Sequence, residues 1–64
     1  MKKYKFRNEL SEAADKVYTN SSFVFYKDEK DIFYCSDNGK SKPYEIGTLE
    51  DVEEYLMMFA DDEE

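Results

Sequence analysis

Apolar residues recur along this chain with two periods, and each period predicts an element. Phe6, Leu10, Ala13, Ala14 and Val17 fall three or four residues apart with polar residues between them, which predicts a helix. Asn8 would cap that helix from residue 9, or the helix would begin near Tyr4 and include Phe6. Thr19-Asn20-Ser21-Ser22 breaks it. Phe23-Val24-Phe25-Tyr26 and Ile32-Phe33-Tyr34-Cys35 are β-branched and aromatic runs that predict two strands, with Asp28-Glu29-Lys30-Asp31 as a tight turn between them. Asn38-Gly39 is a hairpin signal, and Pro43-Tyr44-Glu45-Ile46 follows as a third strand whose proline marks a sheet edge. After Gly47, Thr48-Leu49-Glu50-Asp51 has the form of a capping box with Asp in place of Glu. Leu49, Val52, Leu56, Phe59 and Ala60 then make one stripe of a final helix. The expected fold class is α+β in the order α-β-β-β-α: a three-stranded antiparallel meander with two helices packed on one face. Residues 1–60 form its single domain, and residues 61–64 are an acidic tail.

Turn length sets strand register, and register decides which side chains share a face. With Glu29-Lys30 as a two-residue turn, Phe25 lies opposite Tyr34; with Asn38-Gly39 as the next, Phe33 lies opposite Tyr44. One face then gathers Val24, Tyr26, Phe33, Cys35, Tyr44 and Ile46, the expected core. The other carries Phe23, Phe25, Ile32 and Tyr34, which would form an aromatic patch in water, an interaction site or a face for self-association. Two arrangements remain open beside this one. The first helix could cross to the second face, and a longer loop over 36–42 would shift the third strand.

Composition narrows the chemistry. The chain has 64 residues, one Cys and no His, which excludes imidazole catalysis, imidazole metal ligands, an internal disulfide and a thiolate zinc cluster. No calcium-loop spacing of carboxylates appears, and nothing predicts a pocket that would perturb a carboxyl pKa. Cys35 is expected to pack as a small hydrophobe. No run approaches the roughly 18 apolar residues of a membrane span. The expectation is a non-enzymatic protein of a reducing, cytoplasmic compartment with no cofactor and no metal.

Charge is the strongest functional cue. The net charge is −7, with Lys2, Lys3, Lys5 and Arg7 and no acid in residues 1–7. Residues 47–64 hold eight acids and no base, so the net acidity lies in this last stretch. A negative end repels phosphate backbones and attracts basic surfaces, including those that hold nucleic acid. The basic opening segment, interleaved with Tyr4 and Phe6, is a counter-charge for that end or a weak cue for nucleic acid or anionic lipid. On the last helix Glu50, Glu53 and Glu54, with Asp61 and Asp62 beyond, would meet the Lys and Arg residues of a partner, while Met57 and Met58 adapt to its apolar spots. As a plain solvated face, the same residues would do nothing more than keep the protein soluble.

The helix, meander and acidic last helix, with Asp37-Asn38-Gly39-Lys40 before the last strand, resemble small phage-encoded anti-CRISPR inhibitors. That resemblance implies an inhibitor which presents carboxylates where phosphates would sit in an effector's nucleic-acid groove. The double-stranded-RNA-binding domain shares the order α-β-β-β-α, but its last helix is basic where this chain has Glu50, Asp51, Glu53 and Glu54. The function expected is thus inhibition or regulation of a basic, nucleic-acid-binding protein by nucleic-acid mimicry, without direct nucleic-acid or membrane binding, by a monomer or homodimer. The alternative is a small self-associating or adaptor domain acting through the aromatic sheet face.

Overall fold

The computed structural model describes residues 2–60. Its elements run β1 (Lys2–Tyr4), α1 (Glu12–Asn20), β2 (Val24–Lys27), β3 (Phe33–Ser36), β4 (Tyr44–Gly47) and α2 (Leu49–Ala60). The four strands form one antiparallel sheet in the order β1-β2-β3-β4. The α+β class and both helices hold. The three-stranded meander is corrected to a four-stranded sheet, because the opening residues pair with β2 instead of extending the first helix.

Lys3-Tyr4-Lys5-Phe6-Arg7 alternates polar and apolar with period two, which suits a half-buried strand better than a helix. Tyr4 and Phe6 turn their rings inward, meeting Phe33 at 5.3 and 5.4 Å between centroids. Asn8 does not cap α1. Ser11 does, its Oγ accepting from the Ala14 N–H at 3.4 Å. Glu9 holds the segment before it, accepting from the Arg7 N–H at 2.7 Å and the Tyr4 hydroxyl at 3.0 Å. These bonds hold the Glu9 carboxyl below its ordinary pKa, the Arg7 bond most.

The β2–β3 turn has three residues, not two. Asp28 N–H donates to the Ile32 carbonyl, Asp31 N–H donates back to the Asp28 carbonyl, and Asp31 sits at φ 65°. Aspartate tolerates that left-handed geometry better than most residues. The extra residue slips β2 by one, so Phe25 faces Cys35 and Tyr26 faces Tyr34. A slip of one exchanges faces. Phe25 is 1% exposed in the core, while Val24 and Tyr26 lie on the other side. The exposed patch of Phe23, Phe25, Ile32 and Tyr34 is therefore corrected. Phe23 packs on the core beside Tyr55 and Phe59, Ile32 closes the turn, and only Tyr34 shares the opposite face with Tyr26.

The β3–β4 loop is also longer than Asn38-Gly39 implies. Cys35 faces Tyr44 and Tyr34 faces Glu45, with an irregularity between Phe33 and Tyr34. Buried Ser36 organises the loop, donating to the Ser41 carbonyl at 2.9 Å and accepting from the Gly39 N–H at 3.1 Å. Asn38 Oδ1 accepts from the N–H groups of Lys40 and Ser41.

The core is one cluster of Phe6, Ala14, Phe25, Phe33, Cys35, Val52 and Leu56. Both helices contribute to it, so both cover the sheet face that carries Phe25, Phe33 and Cys35. Tyr18 of α1 meets Phe6 and Phe25, whereas Tyr55 of α2 meets Tyr44 and Phe23. Thus α1 lies toward β1 and β2, and α2 toward β4. No helix among the described residues is long and apolar enough to cross a membrane.

Candidate functional site

The start of α2 is locally specified. Gly47 has φ 131°, and a Cβ there would run into the Asp51 carboxylate. That carboxylate accepts from the Thr48 N–H at 3.0 Å and the Thr48 hydroxyl at 3.2 Å, half of the capping box expected from the sequence. Glu50 and Asp51 occupy the positive end of the helix dipole. Val52 and Leu56 are fully buried, which fixes the rotation of α2 about its axis and sets what it shows outward.

What it shows is the residue set singled out from the sequence. Glu50, Glu53, Glu54, Met57 and Met58 line one shallow groove of about 410 Å³ on the outer side of α2. Glu50 and Glu54 are exposed, as are Met57 at 36% and Met58 at 62%. Glu53 is different. It is half-buried and accepts from the Ser11 N–H, so its carboxylate caps the amino end of α1 while forming one wall of the groove. The sequence gives no local sign of that contact between residues 42 positions apart. Asp61 and Asp62 lie outside the described residues. Phe59 is 39% exposed and packs edge-on against Tyr55 and at a tilt against Phe23, extending an apolar margin at the same end of the helix.

The basic opening segment does not neutralise this face. The ion pair among the described residues is Lys27–Asp31 at 3.5 Å, at the β2–β3 turn. Lys2 and Lys3 sit on β1, at the far edge of the sheet from β4.

Elsewhere the titratable groups serve packing. The Cys35 thiol is buried beneath Tyr44 and Tyr55, whose hydroxyls hydrogen-bond to one another, and Tyr44 donates to Asp37 Oδ1 at 3.2 Å. Burial pushes the Cys35 thiol and both tyrosine hydroxyls up from their ordinary pKa values, the reverse of what an activated nucleophile needs. Asp28 Oδ1 accepts from the N–H groups of Lys30 and Ile32, each at 2.9 Å, and Oδ2 from the Tyr34 hydroxyl at 3.1 Å. The Ile32 bond most of all holds the Asp28 carboxyl below its ordinary range, while Tyr34 is raised by sharing its proton with Asp28. Among the described residues no three of the Cys, Asp and Glu side chains gather to hold a metal ion.

Compared with protein-family models, curated protein sequences and solved structures, the chain matches none, so the reading of α2 rests on its own geometry.

Proposed function

We propose that this chain is a non-enzymatic acidic binding protein that inhibits or regulates a nucleic-acid-handling protein by laying the outer side of α2 on its basic surface. The observation that carries the reading is the single groove in which Glu50, Glu53 and Glu54 stand beside exposed Met57 and Met58. Residues four apart on a helix rise about 6 Å, so Glu50 and Glu54 present two carboxylates in a row along the axis. A cationic surface that receives phosphates can receive these instead, while the thioethers adapt to irregular apolar ground. The resemblance to small anti-CRISPR inhibitors makes the charged channel of an RNA-guided effector one surface of this kind. The rival reading, self-association through an aromatic sheet face, has less support because Phe25 is buried.

The test is capture from a nuclease-treated lysate by wild-type protein and by a Glu50→Lys/Glu54→Lys variant, with bound proteins identified by mass spectrometry. Wild type should retain nucleic-acid handlers that added nucleic acid displaces, and the variant should lose them while keeping its circular dichroism. Equal capture by both would refute the proposal.

A further inference from the structure

We propose that a lysine groove at the β1 edge receives the acidic side of α2 from a second copy of the chain, so that molecules join head to tail. The groove, about 760 Å³, is lined by Lys2, Lys3 and Tyr4 of β1 and by Lys27, Asp28, Glu29 and Lys30 of the turn after β2. Its sequence origin is two separate basic stretches that strand pairing brings together. Lys2 stands directly opposite Lys27 and Lys3 opposite Tyr26. Like charges opposite one another across a ladder are unfavourable. The repulsion is relieved only on one side: Lys27 Nζ lies 4.6 Å from the Tyr4 ring centroid and 3.5 Å from Asp31. Lys2, Lys3 and Lys30 are exposed and make no ion pair with a described carboxylate. Asp28 and Glu29 in the same lining offset two of its four lysine charges and leave the groove net positive. An incoming anion would therefore lower the energy of the groove.

The occupant with the matching chemistry is on the same molecule but out of its own reach. β1 and β4 are opposite edges of a four-stranded sheet, three strand spacings or about 14 Å apart, and α2 lies toward β4. Two complementary patches that cannot meet within one molecule can meet between molecules. Glu50 and Glu54 would face Lys2 and Lys30, and Met57 would meet the part of Tyr4 that lines the groove. Because the two patches differ, the contact is heterologous and leaves a free patch at each end for a further copy. The lysines also protect β1 from pairing with foreign strands, and a helix side seated among them is compatible with that. Repulsion between distant net charges is largely screened beyond roughly 8 Å at 0.15 M salt, whereas charges brought into contact in the groove are screened less. Such assembly would cover the carboxylates used in partner capture; that competition, but not the assembly, rests on the function proposed above.

Sedimentation velocity on the full chain from about 10 μM to about 1 mM, the range of weak association, tests this. Wild type should grow beyond a dimer with concentration. Lys2→Gln/Lys30→Gln and Glu50→Gln/Glu54→Gln should each stay monomeric, with association weakened about tenfold or more by loss of the charge pairs. An equimolar mixture of the two variants should form a 1:1 dimer and stop there, since each retains one patch. A monomeric wild type, self-association unchanged in either variant, or a mixture that stays monomeric would overturn the proposal. So would a labelled single-stranded oligonucleotide that binds monomeric wild type through Lys2 and Lys30. The lysine variant leaves the capture surface intact, so failure here and failure of the capture experiment are read separately.

Discussion

Exchanging Phe25 and Tyr26 in turn for leucine tests the register on which every surface assignment depends. Phe25 is 1% exposed, and its ring meets Phe6 at 5.3 Å, Tyr18 at 5.9 Å and Phe23 at 6.4 Å between centroids. Phe25→Leu removes three carbons from that site, or about 2 kcal/mol at ~0.8 kcal/mol per buried carbon. A chain of this length has a total stability of about 3–10 kcal/mol, so the change takes a large share of it. At about 4–8 °C per kcal/mol for a small domain, the midpoint of thermal unfolding should fall by about 8–16 °C. Tyr26, next along the strand, points to the uncovered side and is only half-buried, so Tyr26→Leu should cost less than about 1 kcal/mol. Circular dichroism melts and urea titrations of both variants against wild type measure this directly. Were β2 held by a two-residue turn, the order would reverse, and a larger loss in Tyr26→Leu than in Phe25→Leu would refute the register. Phe25→Glu makes the same point about self-association, since it should unfold the monomer and not merely separate a dimer.

Three further outcomes follow from local geometry. Gly47→Ala should lower stability by about 1–3 kcal/mol in urea titration, because φ 131° and the adjacent Asp51 carboxylate both exclude a Cβ. Asp28 has a depressed pKa in the folded chain, so its contribution is present above the unfolded carboxyl value near 3.9 and is lost as pH falls through the lower folded value. Asp28→Asn should therefore flatten the acid limb of a stability–pH profile. Cys35 should react with a thiol reagent only at the rate of opening, since burial keeps its thiol protonated, and Tyr44→Ala should speed that reaction in native buffer.

The legible part of the fold was the part written in neighbouring residues. Thr48 and Asp51 mark the start of α2 three positions apart, and Val52 and Leu56 mark its buried side. The outward set Glu50, Glu54, Met57 and Met58 followed from that side alone. β1 was hidden because Phe6 and Leu10 also fit a helical spacing, and the strand that claims Tyr4 pairs it with Phe25, 21 residues away. The β2 slip was hidden because it depends on Asp31 taking a left-handed conformation while Asp28 captures the N–H groups of Lys30 and Ile32. Two-residue turns assume neither. Glu53 reads as another surface acid because its partner, the Ser11 N–H, belongs to a helix start that the sequence pattern puts at Asn8 or near Tyr4 instead.

Glu54 separates a helix built for its own stability from one built to meet a cation. It stands one turn after Glu50, three positions after Asp51 and one turn before Met58, with no basic residue in the last turn of α2. Like charges four apart cost about 0.2–0.5 kcal/mol, and a lysine in place of Glu54 would turn that cost into a gain of similar size. Stability alone therefore favours Lys at this position by about 0.5–1 kcal/mol, since the side chain is exposed and caps nothing. Glu50, by contrast, lies in the first turn, where the helix dipole already favours an acid. Glu54→Lys is accordingly expected to raise the urea midpoint slightly while abolishing capture of basic partners, so that stability and binding move in opposite directions. If the variant lost stability together with binding, Glu54 would belong to the fold and the carboxylate row would lose its reason to face outward.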